Sequence, residues 1–119
     1  MPTTIWQSEM IHIIADRATA QQLQEMLDVL QTYIKLAVDV RHRVVAGGGA
    51  LHADCEAALL ESGSQQVDVW GADWFPESRT VRFESLINIR PKQGNHSLSI
   101  SNPTLRATIE AIVRERFGD

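Results

Sequence analysis

Cysteine is almost missing from this chain. Cys55 is the only one in 119 residues, so no intramolecular disulfide can form and the fold must rest on its core. A lone thiol suits a reducing compartment, and a cytoplasmic protein is expected. Long apolar runs are missing too. None approaches the ~18 residues that a membrane span needs, so no span is expected. The first residues, MPTTIWQSE, lack a basic stretch followed by an apolar one, which speaks against a signal peptide. There is no internal repeat, low-complexity tract or linker. The expected organisation is a flexible extension over residues 1–9 and one domain over residues 10–119, present as a monomer.

Positive charge is also scarce. The net charge is −4, which makes nucleic acid an unlikely partner. The charge is uneven, −7 over residues 1–78 and +3 over residues 79–119. Such asymmetry marks an interaction surface, or the two halves interleave and neutralise each other. The remaining composition is that of a globular domain, 44% hydrophobic and 22% charged. At this length about two-thirds of the unfolded chain's surface is buried on folding.

Met10 to Ile14 reads as a short extended piece. Thr19 and Gln22 have capping-box spacing. Leu23, Met26, Leu27, Leu30, Tyr33 and Ile34 follow at helical spacing, which predicts a helix to about Tyr33. The period then falls to two. Leu36, Val38 and Val40 alternate with Lys35, Ala37, Asp39 and Arg41, as in a two-faced strand. Val44 to Ala46 extends that strand or turns away from it. Gly47-Gly48-Gly49 breaks regular structure. Residues 51–61 favour helix, with Gly63 placed as a C-cap glycine. Val67–Trp74 and Thr80–Ile89 form a hairpin turned by Pro76-Glu77-Ser78. Ser97 to Ile100 is a last short strand. Asn102-Pro103 starts a final helix with Leu105, Ile109, Ile112, Val113 and Phe117 on one stripe. The expected fold is α+β: about four mostly antiparallel strands, with three to four helices on one face.

Motifs with chemistry are sparse. Gly47-Gly48-Gly49 precedes a helix, but no Gly-Lys-Ser/Thr follows, so it is not a P-loop. In His52-Ala53-Asp54-Cys55-Glu56, His52 and Glu56 share a helix face at i and i+4 and could hold a metal. No second ligand group supports them, and no metal or other cofactor is expected. Nothing local pairs Cys55 with an orienting His, and GxSxG is absent.

The hairpin suggests a surface instead. If Val67 and Val69 face the helices, Trp70 and Trp74 face outward, beside Arg82, Arg90, Lys35 and Asp39. Trp and Arg are the types most enriched at binding hot spots. A bulge at Gly71 would return Trp74 to the core. Asp68 is expected to fix the register, because a one-residue slip would bury its carboxylate under the helices.

The combination of AGGG, HADCE, VDVWGADW, FESLINIRP and the Asn102-Pro103 helix start resembles a family of small bacterial proteins. That family is common among cyanobacteria and catalogued as a domain of unknown function. The resemblance runs from about Met10 to the final helix. It implies a cytoplasmic bacterial protein with a regulatory role, and it carries over no activity, cofactor or catalytic residue.

The reading that results is a non-enzymatic binding or regulatory protein, for a protein partner or a small ligand. Its expected binding surface is Trp70, Trp74, Arg82, Glu84, Asn88 and Arg90, together with His52, Asp54, Gly48 and Gly49. Two alternatives stand beside it. One is a small metal-dependent hydrolase using His52 and Glu56. The other is a weak nucleic-acid binder using Arg82, Arg90 and Lys92.

Overall fold

The computed structural model describes residues 11–118. The extension expected over residues 1–9 lies outside them. The domain is α+β, built on a five-stranded antiparallel sheet. The strands are β1 (His12–Ile14), β2 (Ile34–Asp39), β3 (Val44–Gly47), β4 (Val69–Phe75) and β5 (Thr80–Arg82). Their spatial order is β1-β3-β2-β4-β5. Three α-helices join them: α1 (Ala20–Leu30), α2 (His52–Glu61) and α3 (Pro103–Phe117). No helix among the described residues is long and apolar enough to cross a membrane.

The helix starts follow from local chemistry. Thr19 Oγ1 accepts the Gln22 N–H at 3.1 Å, and Gln22 Oε1 accepts the Thr19 N–H at 2.9 Å. At α3, Asn102 Oδ1 accepts the N–H groups of Thr104 and Leu105, and Pro103 occupies the first turn. Helix α1 stops at Leu30 rather than near Tyr33, because Gln31 turns to a φ of 76°. Leu30 is then only half-buried, and Met26 takes the core position. Gly63 follows the end of α2 with a φ of 111°, a conformation open to glycine.

The strand count exceeds expectation by one. Val44–Gly47 neither extends β2 nor leaves it but folds back beside it, with Val38 opposite Val45. The faces of the sheet also differ from expectation. Ile34, Leu36, Val38, Trp70, Ala72 and Trp74 point to one side, where Met26 of α1 and Ile109, Ile112 and Val113 of α3 cover them. Ala37, Ala46 and Val69 point to the other side and meet Cys55 and Leu59 of α2. Helices therefore cover both faces, not one. The second face is lined by small residues, which let α2 approach closely. Its own buried stripe is only Cys55 and Leu59, at i and i+4, too short a pattern to announce a covered face.

The second hairpin strand is the largest departure. Strand β5 ends at Arg82, not Ile89, and Ser97–Ile100 contributes a single bridge, Glu84 to Ser99, instead of a strand. Residues 83–101 wrap the edge of β4 as short 3₁₀ turns, at Leu86–Asn88 and Pro91–Gln93.

Candidate functional site: a cleft at the start of helix α2

Trp70 and Trp74 do not form an open aromatic face. They are 5% and 2% exposed, on the side covered by α1 and α3. The alternation is as expected, since Val69 and Trp70 point opposite ways, but the outward side carries a helix too. Strand β4 does not bulge at Gly71, which pairs in register with Ala37. Lys35 and Asp39 lie on the opposite face from the tryptophans, and Asp39 is fully buried. Asp68 precedes β4 in a 3₁₀ turn, where its carbonyl accepts the Val40 N–H at 3.0 Å and one carboxylate oxygen is buried without a partner.

Asn88 and Arg90, both expected on the surface, are structural clamps. Strand β5 pairs with β4 only from Asp73 to Phe75, which leaves the edge of β4 open around Gly71. Asn88 fills it. Its Oδ1 accepts the Gly71 N–H at 2.8 Å, and its Nδ2 donates to Gly71 O at 3.1 Å and Phe83 O at 3.0 Å. Arg90 takes the next carbonyl, Val69 O. Its other N–H groups reach Ile87 O, Gln66 O, Gln93 Oε1 and Glu56 Oε2. A guanidinium has five N–H donors, and all are engaged. The same group lies 4.6 Å from the centre of the Trp70 ring. Burial pulls the pKa of Arg90 down, against the opposing charge of Glu56. Asn95, a third clamp, donates to Asn88 O at 2.7 Å and Ser99 O at 3.0 Å.

These clamps hold residues 84–87 against the start of α2, and between them opens a cleft of about 350 Å³. Leu51, Leu86, Ile87 and Leu98 make its apolar walls, and Lys35, His52, Glu84 and Ser85 are its polar members. Leu86 is 77% exposed at the mouth, and Leu51 is 57% exposed. Leu86 and Ile87 also border a second depression that runs to Glu56, Arg90 and Lys92.

The floor is positioned by the sheet. Lys35 and Asp73 are cross-strand neighbours on β2 and β4. Asp73 Oδ1 accepts from His52 Nε2 at 2.7 Å, and Ala72 O lies 3.2 Å from the same nitrogen. Two acceptors at Nε2 require that it carries the proton. Lys35 Nζ turns instead to Ala50 O at 3.1 Å. Both glycines named from the sequence are buried packing elements beneath this floor. Gly48 has a φ of 98° and donates its N–H to Lys35 O. A Cβ on Gly49 would come within 3.1 Å of Cys55 Sγ. Asp54 leaves one oxygen, Oδ2, buried without a hydrogen-bond partner.

An aromatic and charged surface does exist, built from residues other than the tryptophans. Tyr33 stacks on Phe75 with ring centres 4.9 Å apart, and the Arg82 guanidinium lies 4.6 Å from the Phe75 ring centre. Arg82 is cross-strand to Asp73, so this row continues from the cleft floor. Sequence reading missed Tyr33 by assigning it to α1, and missed Phe75 by ending β4 one residue early.

His52 turns to Asp73 and Glu56 to Arg90, so the two residues of the metal alternative have different partners. Among the described residues no three His, Cys, Asp or Glu side chains are grouped as a metal requires. Burial pushes the Cys55 thiol up to about 12, which disfavours the thiolate a nucleophile needs. Arg90 has no N–H left for a phosphate.

The fold and site define a small α+β domain with helices on both faces of an antiparallel sheet and an apolar-walled cleft beside α2. Residues 12–116 match the family described as Protein of unknown function (DUF5674), and the chain belongs to that family. No curated protein and no solved structure matches it.

Proposed function

We propose that this is a non-enzymatic binding protein that receives an amphipathic ligand, or an apolar side chain of a partner, in the cleft between α2 and residues 84–87. The observation that carries the reading is Leu86. A leucine 77% exposed, in the 3₁₀ turn that leads into Asn88 and at the mouth of an apolar-walled cleft, buries little of its side chain there. Exposed apolar groups around a concave site with a few polar groups are the usual make-up of a ligand pocket. A regulatory role for a monomer in the cytoplasm agrees with this reading.

The test is a titration of the whole chain with an amphipathic naphthalene sulfonate dye, followed by backbone amide shifts. The expected perturbations cluster at residues 51–53 and 84–87, and Leu86→Asp suppresses them. Perturbations elsewhere, or none, would refute the assignment.

A further inference from the structure

We infer that the ligand of this cleft is a small amphipathic monocarboxylate, with its head at Lys35 Nζ and its apolar chain along Leu51, Leu86 and Leu98. The inference rests on the binding reading above and adds the chemistry of the ligand.

The argument is one of charge complementarity. Lys35 is the cation of the cleft floor. An ammonium has three N–H donors, and Lys35 spends one on Ala50 O at 3.1 Å. Its natural counterion is Asp73, directly across the strand. But Asp73 Oδ1 is taken by His52 at 2.7 Å, and among the described residues Lys35 makes no ion pair. Glu84, the other carboxylate of the cleft, is exposed at its rim.

The uncapped start of α2 adds partial charge of the same sign, reduced by Asp54 in its first turn. His52 and Ala53, the first two residues of the helix, both line the cleft. Helix starts present free N–H groups and partial positive charge. Thr19 caps α1 and Asn102 caps α3, but no side chain caps α2. A cationic head would face both Lys35 and this helix start. A phosphate monoester would bring a second negative charge to a floor whose one lysine already stands across the strand from Asp73. One carboxylate matches one ammonium. A volume of about 350 Å³ lies near the lower end of ligand pockets, which suits a chain of modest length.

The test uses three probes that share one chain, octanoate, octylammonium and 1-octanol. Each is titrated into the full chain at low salt, with the amides of His52, Ala53 and Ile87 as reporters. Octanoate should bind about tenfold more tightly than either of the others. Lys35→Met, which keeps the length of the side chain, should erase that preference, and Lys35→Arg should retain it. Circular dichroism checks that both variants fold. Equal binding of octanoate and octanol, or a preference that survives Lys35→Met, would sink the carboxylate inference and leave the cleft as a binding site. Tighter binding of octylammonium would reverse the sign of the ligand. If none of the three moves the reporters in wild type, both the inference and the binding reading fall.

Discussion

The side-chain amide of Asn88 stands in for a β-strand beside Gly71. It accepts the Gly71 N–H at 2.8 Å and donates to the Gly71 carbonyl at 3.1 Å, the two bonds that a neighbouring strand would exchange with this residue. The approach is close because Gly71 has no side chain. A Cβ there would lie 2.6 Å from Ser85 Cβ. Asn88→Ala should therefore cost about 2–4 kcal/mol, since it leaves a buried N–H and carbonyl without partners. Gly71→Ala should displace residues 85–88 and with them the wall of the cleft. Urea unfolding of both variants measures the cost. A loss under half a kilocalorie for Asn88→Ala, on the order of a surface substitution, would show that water replaces the amide.

Arg90 is expected to behave as a structural residue and not as a contact for ligands. Its five N–H donors all have protein partners, and its plane covers Trp70. Lysine offers neither the fork nor the flat face. Arg90→Lys should then lower stability by about 2–4 kcal/mol. Thermal melting gives the answer. An Arg90→Lys variant that melts with wild type would return Arg90 to the list of binding residues.

How much of this was legible in the sequence varies along the chain. The Thr19–Gln22 box and the Asn102-Pro103 start were legible because a cap is a local hydrogen bond between neighbours in sequence. The alternation in β2 was legible because its second face carries Lys35 and Asp39 between the apolar Ile34, Leu36 and Val38. The 83–101 segment was not. Its path is set by Asn88, Arg90 and Asn95 bonding to backbone groups, and such bonds leave no periodicity. The covering of the second face was hidden by the short stripe of α2. Of the cleft, His52 was named from its motif and Glu84 from its place in the hairpin. Its partner Asp73 stands 21 residues away, and only strand pairing brings it near. Leu86 read as one parity of a strand, whereas its exposure depends on a 3₁₀ turn.

Trp70 should be a core residue. At 5% exposure, between the sheet, α3 and Arg90, its truncation to alanine should cost about 3–5 kcal/mol. Trp70→Phe should cost less, because it keeps a ring beneath the guanidinium. Equilibrium unfolding separates the two. Were Trp70→Ala nearly as stable as wild type, the tryptophan would belong to a surface after all.

Cys55 should be inert in the native state. Its Sγ is buried, donates to Lys35 O at 3.4 Å, and has a thiol pKa pushed up to about 12, chiefly by burial. Alkylation requires thiolate and access. Iodoacetamide at mildly alkaline pH should leave the folded protein unmodified and label it fully in denaturant. Mass spectrometry reads both. Rapid labelling without denaturant would show that α2 opens readily from the sheet.

Asp39 should contribute to stability at neutral pH and lose that contribution in acid. Burial pushes its pKa up, but Ser64, the His42 N–H and the His42 ring together hold the carboxyl below its ordinary value of 3.8. Ser64 Oγ donates at 2.6 Å, and His42 Nδ1 lies at 2.9 Å. A carboxyl lowered in the folded state stabilises above its unfolded pKa, and the stabilisation fades as pH falls through the folded one. Asp39→Asn should therefore be less stable than wild type at neutral pH, by about 1–3 kcal/mol for charge-assisted bonds. The difference should shrink once the pH falls below 3.8, the ordinary carboxyl value. Ser64→Ala should give a smaller deficit with the same pH dependence, because it removes one of the bonds that favour the charged form. Urea midpoints for the three proteins, taken from neutral pH down into acid, test this. A deficit in Asp39→Asn that stays constant throughout would mean that the carboxylate charge plays no part, and that Asp39 acts only as a neutral acceptor tying the β2–β3 turn to the end of α2.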